Sequence, residues 1–127
     1  MKTLKLKNDI KELYHINSTI HNEVKIEDFQ LDLIIEEIFS NIVNYSNADY
    51  IMINYNFDNE NNTIYLEFID NGISHNPLLK EDPEKVDNIE EARIGGLGIY
   101  LTKNIADKIE YHNINNENHL KIIKKVK

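Results

Sequence analysis

Apolar residues along this chain fall into two rhythms, and their succession predicts an α+β fold. Residues 2–7 alternate, with Leu4 and Leu6 facing one way between Lys5 and Lys7, which predicts a short strand. From about Asn8, read as an N-cap, Ile10, Leu13, Ile16, Ile20 and Val24 recur at helical spacing. Residues 27–45 carry the strongest helical signal. Leu31, Ile34, Ile35, Ile38, Ile42 and Val43 form its apolar face, and neither Gly nor Pro interrupts it. Alternation resumes over residues 50–57 and 63–69, with the polar stretch 58–62 as the turn between two strands. Residues 73–94 hold both prolines and show little periodicity, and irregular segments of that length are usually functional or mobile. Residues 97–109 predict a helix with Leu101, Ile105 and Ile109 on one stripe. Residues 109–114 and 119–126 predict a closing pair of strands around Asn115-Asn116. The order β-α-α-β-β-loop-α-β-β predicts a two-layer sandwich, with helices on one face of a mixed, mostly antiparallel sheet.

Composition narrows the class. A chain of 127 residues, 41% hydrophobic, is expected to form one domain over 1–127 with one core. It contains no cysteine, which excludes disulfides, thiolate-ligated metals and a cysteine nucleophile. The start alternates and is too charged for a signal-peptide core, and no apolar run approaches the roughly 18–20 residues of a membrane span. A cytoplasmic protein is the expectation. The net charge of -8 argues against nucleic acid or an anionic membrane as partner, since both require a basic surface.

Three short motifs carry candidate chemistry. In Glu37-Ile-Phe-Ser-Asn41, the i, i+4 spacing puts a carboxylate and an amide on one helix face at the border of the apolar stripe. The carboxylate could orient or deprotonate an attacking hydroxyl, and the amide oxygen suits Mg²⁺; alternatively both are wet-side residues of an amphipathic helix. In Asp70-Asn71-Gly72, Asp70 continues the inward parity of Ile64, Leu66 and Phe68, which places a carboxylate at a pocket floor. There it could accept a hydrogen bond from an amino group such as that of adenine. An Asn-Gly hairpin turn is the competing reading. Gly95-Gly96-Leu97-Gly98 precedes a helix, where freed N–H groups and the helix dipole favour an anion; a flexible hinge is the alternative. All four glycines of the chain lie in the second and third motifs.

In order and spacing these motifs resemble the N box and the two glycine boxes of the GHKL ATPase superfamily, from about Leu31 to Asp107. The resemblance implies ATP and Mg²⁺ as cofactors. Glu37 would be the catalytic acid/base and Asn41 the Mg²⁺ ligand. Asp70 would bind adenine, with Gly72 beneath the base and Gly95, Gly96, Leu97 and Gly98 beside the phosphates. The segments Glu36–Tyr45, Asp70–Pro77, Ile94–Leu101 and Asn118-His-Leu120 are most similar to bacterial anti-sigma-factor serine/threonine kinases. That group implies a homodimer that phosphorylates an anti-sigma-factor antagonist and, in many members, sequesters a sigma factor. Two departures stand out. The last strand lacks the expected threonine over residues 120–125, and Arg93 lies near, but not certainly at, the position of a phosphate-binding arginine. A nucleotide-gated binding module without phosphotransfer, or an ATPase without a protein substrate, remains open. His15 and His21 on the first helix read as ordinary helix residues.

Overall fold

The computed structural model describes residues 1–25, 27–79 and 97–126. Five strands form one sheet: β1 (Lys2–Leu6), β2 (Ile51–Asp58), β3 (Thr63–Asp70), β4 (Lys108–Ile114) and β5 (Glu117–Lys125), in the order β1-β2-β3-β5-β4. The expected mostly antiparallel sheet is antiparallel at each of these pairings. Among the described residues, three α-helices, α1 (Glu12–Val24), α2 (Phe29–Tyr45) and α3 (Leu97–Ile105), join the sheet in a two-layer α+β architecture.

Alternation along the strands fixes which face meets the helices. Ile51, Ile53 and Tyr55 of β2 lie opposite Asp70, Phe68 and Leu66 of β3, and β5 continues the row with Asn118, Leu120 and Ile122. These positions are buried, whereas their neighbours Asn54, Tyr65, Glu67 and Lys121 occupy the other face. Against this inner face α2 lays Leu31, Ile34, Ile35, Ile38, Phe39 and Ile42, all buried. Side chains of that size contribute about 1.5–3 kcal/mol each when fully buried, so this stripe sets the position of α2. Asp28 caps the helix by accepting a 2.9 Å hydrogen bond from the Leu31 N–H. From α1, Ile16, Ile20 and Val24 join the core, and the helix ends at Lys25 in the left-handed region. His21 Nε2 lies 2.8 Å from Asp32 Oδ1, so this histidine links α1 to α2.

Two boundaries differ from expectation. Asn8 is not the cap of α1: its Nδ2 donates to the Ala48 carbonyl at 2.9 Å, and the helix begins only at Glu12. The last helix stops at Ile105, so Ile109 lies in β4 rather than on its stripe. The Ala106 N–H closes the final turn on Thr102 O, and the next N–H, of Asp107, donates to Ile123 O. The chain is thereby bonded to the sheet where helical spacing alone would have continued. Asn115 and Asn116 both have positive φ, and Ile114 pairs with Glu117, giving the two-residue turn that closes β4 on β5.

Candidate active site

The C-terminal half of α2, the end of β3 and the start of β5 line an open cleft. Ile38 and Ile42 line one side, Phe68 and Leu120 rise from the sheet, and Pro77 closes from the segment after β3. The polar groups are Asn41, Ser46, Asp70, His75 and Asn118, with the hydroxyls of Tyr45 and Tyr111. An apolar slot with a handful of placed polar groups is the common form of a small-molecule site.

Asp70 lies within this cleft, as its parity predicts, and is 4% exposed. Its Oδ1 accepts the Gly72 N–H at 2.9 Å and Asn118 Nδ2 at 3.0 Å. No hydrogen bond reaches Oδ2 among the described residues. A carboxylate with one oxygen held by the protein keeps the other available to accept from a ligand in the cleft.

Gly72 serves a different purpose from that of a hairpin turn. The chain passes so close to α2's C-terminal end that a Cβ on Gly72 would sit 2.2 Å from Ser46 O and 2.7 Å from Ser46 Cβ. That approach allows the Ile73 N–H to bond Ser46 O at 2.7 Å, and Asn71 Oδ1 accepts the Asp49 N–H at 2.8 Å. The Asp70-Asn71-Gly72 motif thus staples the end of β3 to the end of α2.

Glu37 and Gly98 meet. A Cβ on Gly98 would lie 1.9 Å from Glu37 Oε2, so only glycine lets the first turn of α3 rest on this carboxylate. Burial, with a smaller contribution from the charge of Glu36, pushes the Glu37 carboxyl above its ordinary value. Asn41 lies one turn further along α2 and lines the cleft, so the helix spans from the Asp70 pocket to the start of α3. Gly95 and Gly96 lie outside the described residues, as does Arg93; Leu97 opens α3.

Tyr111 and Ser46 escape the motif analysis, and Asn118 and His75 enter it only inside matched segments, with no role of their own. Asn118 carries a readable signal, a polar residue at the inward parity of Leu120 and Ile122. Ser46 acts through its backbone carbonyl, which no side-chain pattern reveals.

The lining residues fit a small planar ligand with an amino group: a buried carboxylate acceptor, Asp70, among apolar walls that include Ile38, Ile42 and Leu120. Among the described residues no group of three or more His, Cys, Asp or Glu could hold a metal, so a divalent cation would depend on an oxygen such as the Asn41 amide together with those that a nucleotide brings. No helix among the described residues is long and apolar enough to cross a membrane.

Comparison with known proteins bears on the family and the fold. The family model "Histidine kinase-like ATPase domain" matches residues 11–124. Among solved structures, the catalytic domain of the histidine kinase ThkA, in a nucleotide-free form, superposes with a TM-score of 0.53 at 13% identity. The match covers 99% of this chain and 98% of that one, a likeness of fold alone. No curated protein sequence matches significantly. With the family model spanning most of its length, the chain belongs to the histidine kinase-like ATPase domain family.

Proposed function

We propose that the chain is an ATP-dependent protein serine/threonine kinase of the anti-sigma-factor type, acting on an anti-sigma-factor antagonist and working with Mg²⁺. The observation that carries the phosphotransfer reading is the seating of Gly98 on the Glu37 carboxyl at the first turn of α3. In this reading the ATP phosphates lie at that helix start, so Glu37 stands beside the γ-phosphoryl group, and its raised pKa makes it a stronger base near neutral pH. As the acceptor oxygen bonds to the γ-phosphorus, its proton passes to Glu37 and ADP leaves. Asp70 and the apolar walls hold the base and thereby fix the direction of the triphosphate, which accounts for most of the rate in a reaction governed by positioning. Mg²⁺, brought with the nucleotide and held by Asn41, would neutralise phosphate charge in a protein of net charge -8.

The test is incubation with γ-labelled Mg-ATP and fractionated proteins of the source cell. Label that survives acid, as a serine or threonine ester does, and disappears with Glu37→Gln supports the reading. Acid-labile label, as on histidine, or ATP binding with no transfer to any fraction, overturns it in favour of a histidine kinase or a nucleotide-gated binding module.

A further inference from the structure

One buried side chain that the mechanism leaves without a role holds more hydrogen bonds than any other in the cleft. Asn118, 6% exposed at the start of β5, donates through Nδ2 to Asp70 Oδ1 at 3.0 Å and to the Ile73 carbonyl at 2.9 Å. Its Oδ1 accepts the His75 N–H at 3.4 Å, Asn113 Nδ2 at 3.2 Å and the Tyr111 hydroxyl. The two ends of the amide are not interchangeable. A backbone N–H can only donate and a backbone carbonyl can only accept, so His75 and Ile73 together fix which end faces Asp70.

That orientation has a consequence for the carboxylate. With the Gly72 N–H, Nδ2 occupies Oδ1 from two directions and holds the Asp70 side chain so that Oδ2 alone is offered to a ligand. An ionised carboxylate oxygen can accept and never donate. The offered atom therefore rewards a ligand N–H at that point and penalises a carbonyl oxygen there, by repulsion and by an unsatisfied buried group. We infer that Asn118 is the positioning residue that makes the cleft selective for a 6-amino purine over a 6-oxo purine, acting through Asp70 and without touching the base. The inference rests on the nucleotide reading above and adds to it the origin of base selectivity. It also places the segment after β3 under the same control, because Ile73 and His75 are bonded to the same amide.

Calorimetric titration of the wild type and Asn118→Leu with ATP and with inosine triphosphate, which differ at the 6-position, tests this directly. Leucine keeps the branched shape with some added bulk and removes all five hydrogen bonds. The wild type should prefer ATP by roughly 100-fold, the value of a good hydrogen bond to a charged group. Asn118→Leu should lose most of that preference, with weaker ATP binding and inosine triphosphate binding changed less than about threefold, since only ATP uses the Oδ2 bond. A merely structural role would weaken both ligands together, and that result, or an unchanged preference, overturns the inference. Asn118→Ala, which adds no bulk, gives the same comparison should the leucine variant fail to fold. Failure of the wild type to bind either nucleotide would overturn the nucleotide reading and this inference with it. Wild-type selectivity that survives both substitutions would overturn the inference alone.

Discussion

The two described glycines of the site should respond to the same substitution in opposite ways. In Gly72→Ala the new Cβ meets backbone, Ser46 O at 2.2 Å and Ser46 C at 2.8 Å, which cannot move without shifting the end of α2. Overpacking of this kind costs about 1–3 kcal/mol. Separating the strands of chain also weakens the Ile73 N–H···O Ser46 bond, worth about 0.5–1.5 kcal/mol. A total of about 2–4 kcal/mol should lower the melting temperature by roughly 8–15 °C in a domain of this size. In Gly98→Ala the Cβ meets Glu37 Oε2 at 1.9 Å and Cδ at 2.8 Å, the far end of a side chain that can swing aside. Within α3 alanine also gains up to about 1 kcal/mol over glycine in helix propensity. Gly98→Ala should therefore melt within about 4 °C of the wild type, while displacing the Glu37 carboxylate and lowering phosphotransfer by at least about 100-fold. Circular-dichroism melts and label transfer, measured on both variants, separate the two effects. Equal destabilisation by both substitutions, or a Gly98→Ala protein with wild-type transfer, would refute the assignment of the first clash to backbone and the second to Glu37.

Titratable groups give two opposed pH signatures. Because the folded state raises the Glu37 pKa, its ionised form weakens folding at neutral pH, and the penalty fades as pH falls through the carboxylate range. Glu37→Gln should melt above the wild type at pH 7, with the gain shrinking as pH falls toward the ordinary carboxylate value and gone below it, as followed by thermal melts across pH. Glu67 behaves inversely. Burial pushes its carboxyl up, but hydrogen bonds from Asn54 and His119 outweigh that and hold it below its ordinary value. Its contribution is present above that range and lost as pH falls, so Glu67→Gln should melt below the wild type at pH 7 and converge with it in acid. At the β4–β5 turn Asn116 has φ 63°, and Asn116→Gly should stabilise the hairpin by several tenths of a kcal/mol, read as a small rise in denaturation midpoint.

Long-range architecture was legible wherever burial dictated a period. The α2 stripe from Leu31 to Ile42 and the alternation of Ile64, Leu66 and Phe68 each have one solution that buries the apolar face, and both elements form as expected. Asp70 was legible for the same reason: a charge at an inward position is costly unless a ligand or partner answers it. What misled was local. Ile109 continues a helical spacing by coincidence, and only the Asp107-to-Ile123 bond across the sheet shows that the chain has already turned. Asn8 has the composition of a cap, but its amide is taken by Ala48, 40 positions away in sequence. The pairing of Gly98 with Glu37 joins two motifs about 60 residues apart in sequence, and no single-chain pattern encodes that contact. Asn118 shows the limit most clearly: its inward parity marks it as unusual, while its role depends on five bonds to β3, the stretch after it and β4.

The central claim is that Asp70 receives the base of ATP in the cleft between α2 and the sheet. Calorimetric titration with ATP, with and without Mg²⁺, on wild type and Asp70→Asn tests it most directly. The account predicts wild-type binding that Mg²⁺ strengthens, and a loss of about 10- to 100-fold in Asp70→Asn, where the amide withdraws the charged acceptor. Equal affinity in the two proteins would contradict the assignment of the base to Asp70.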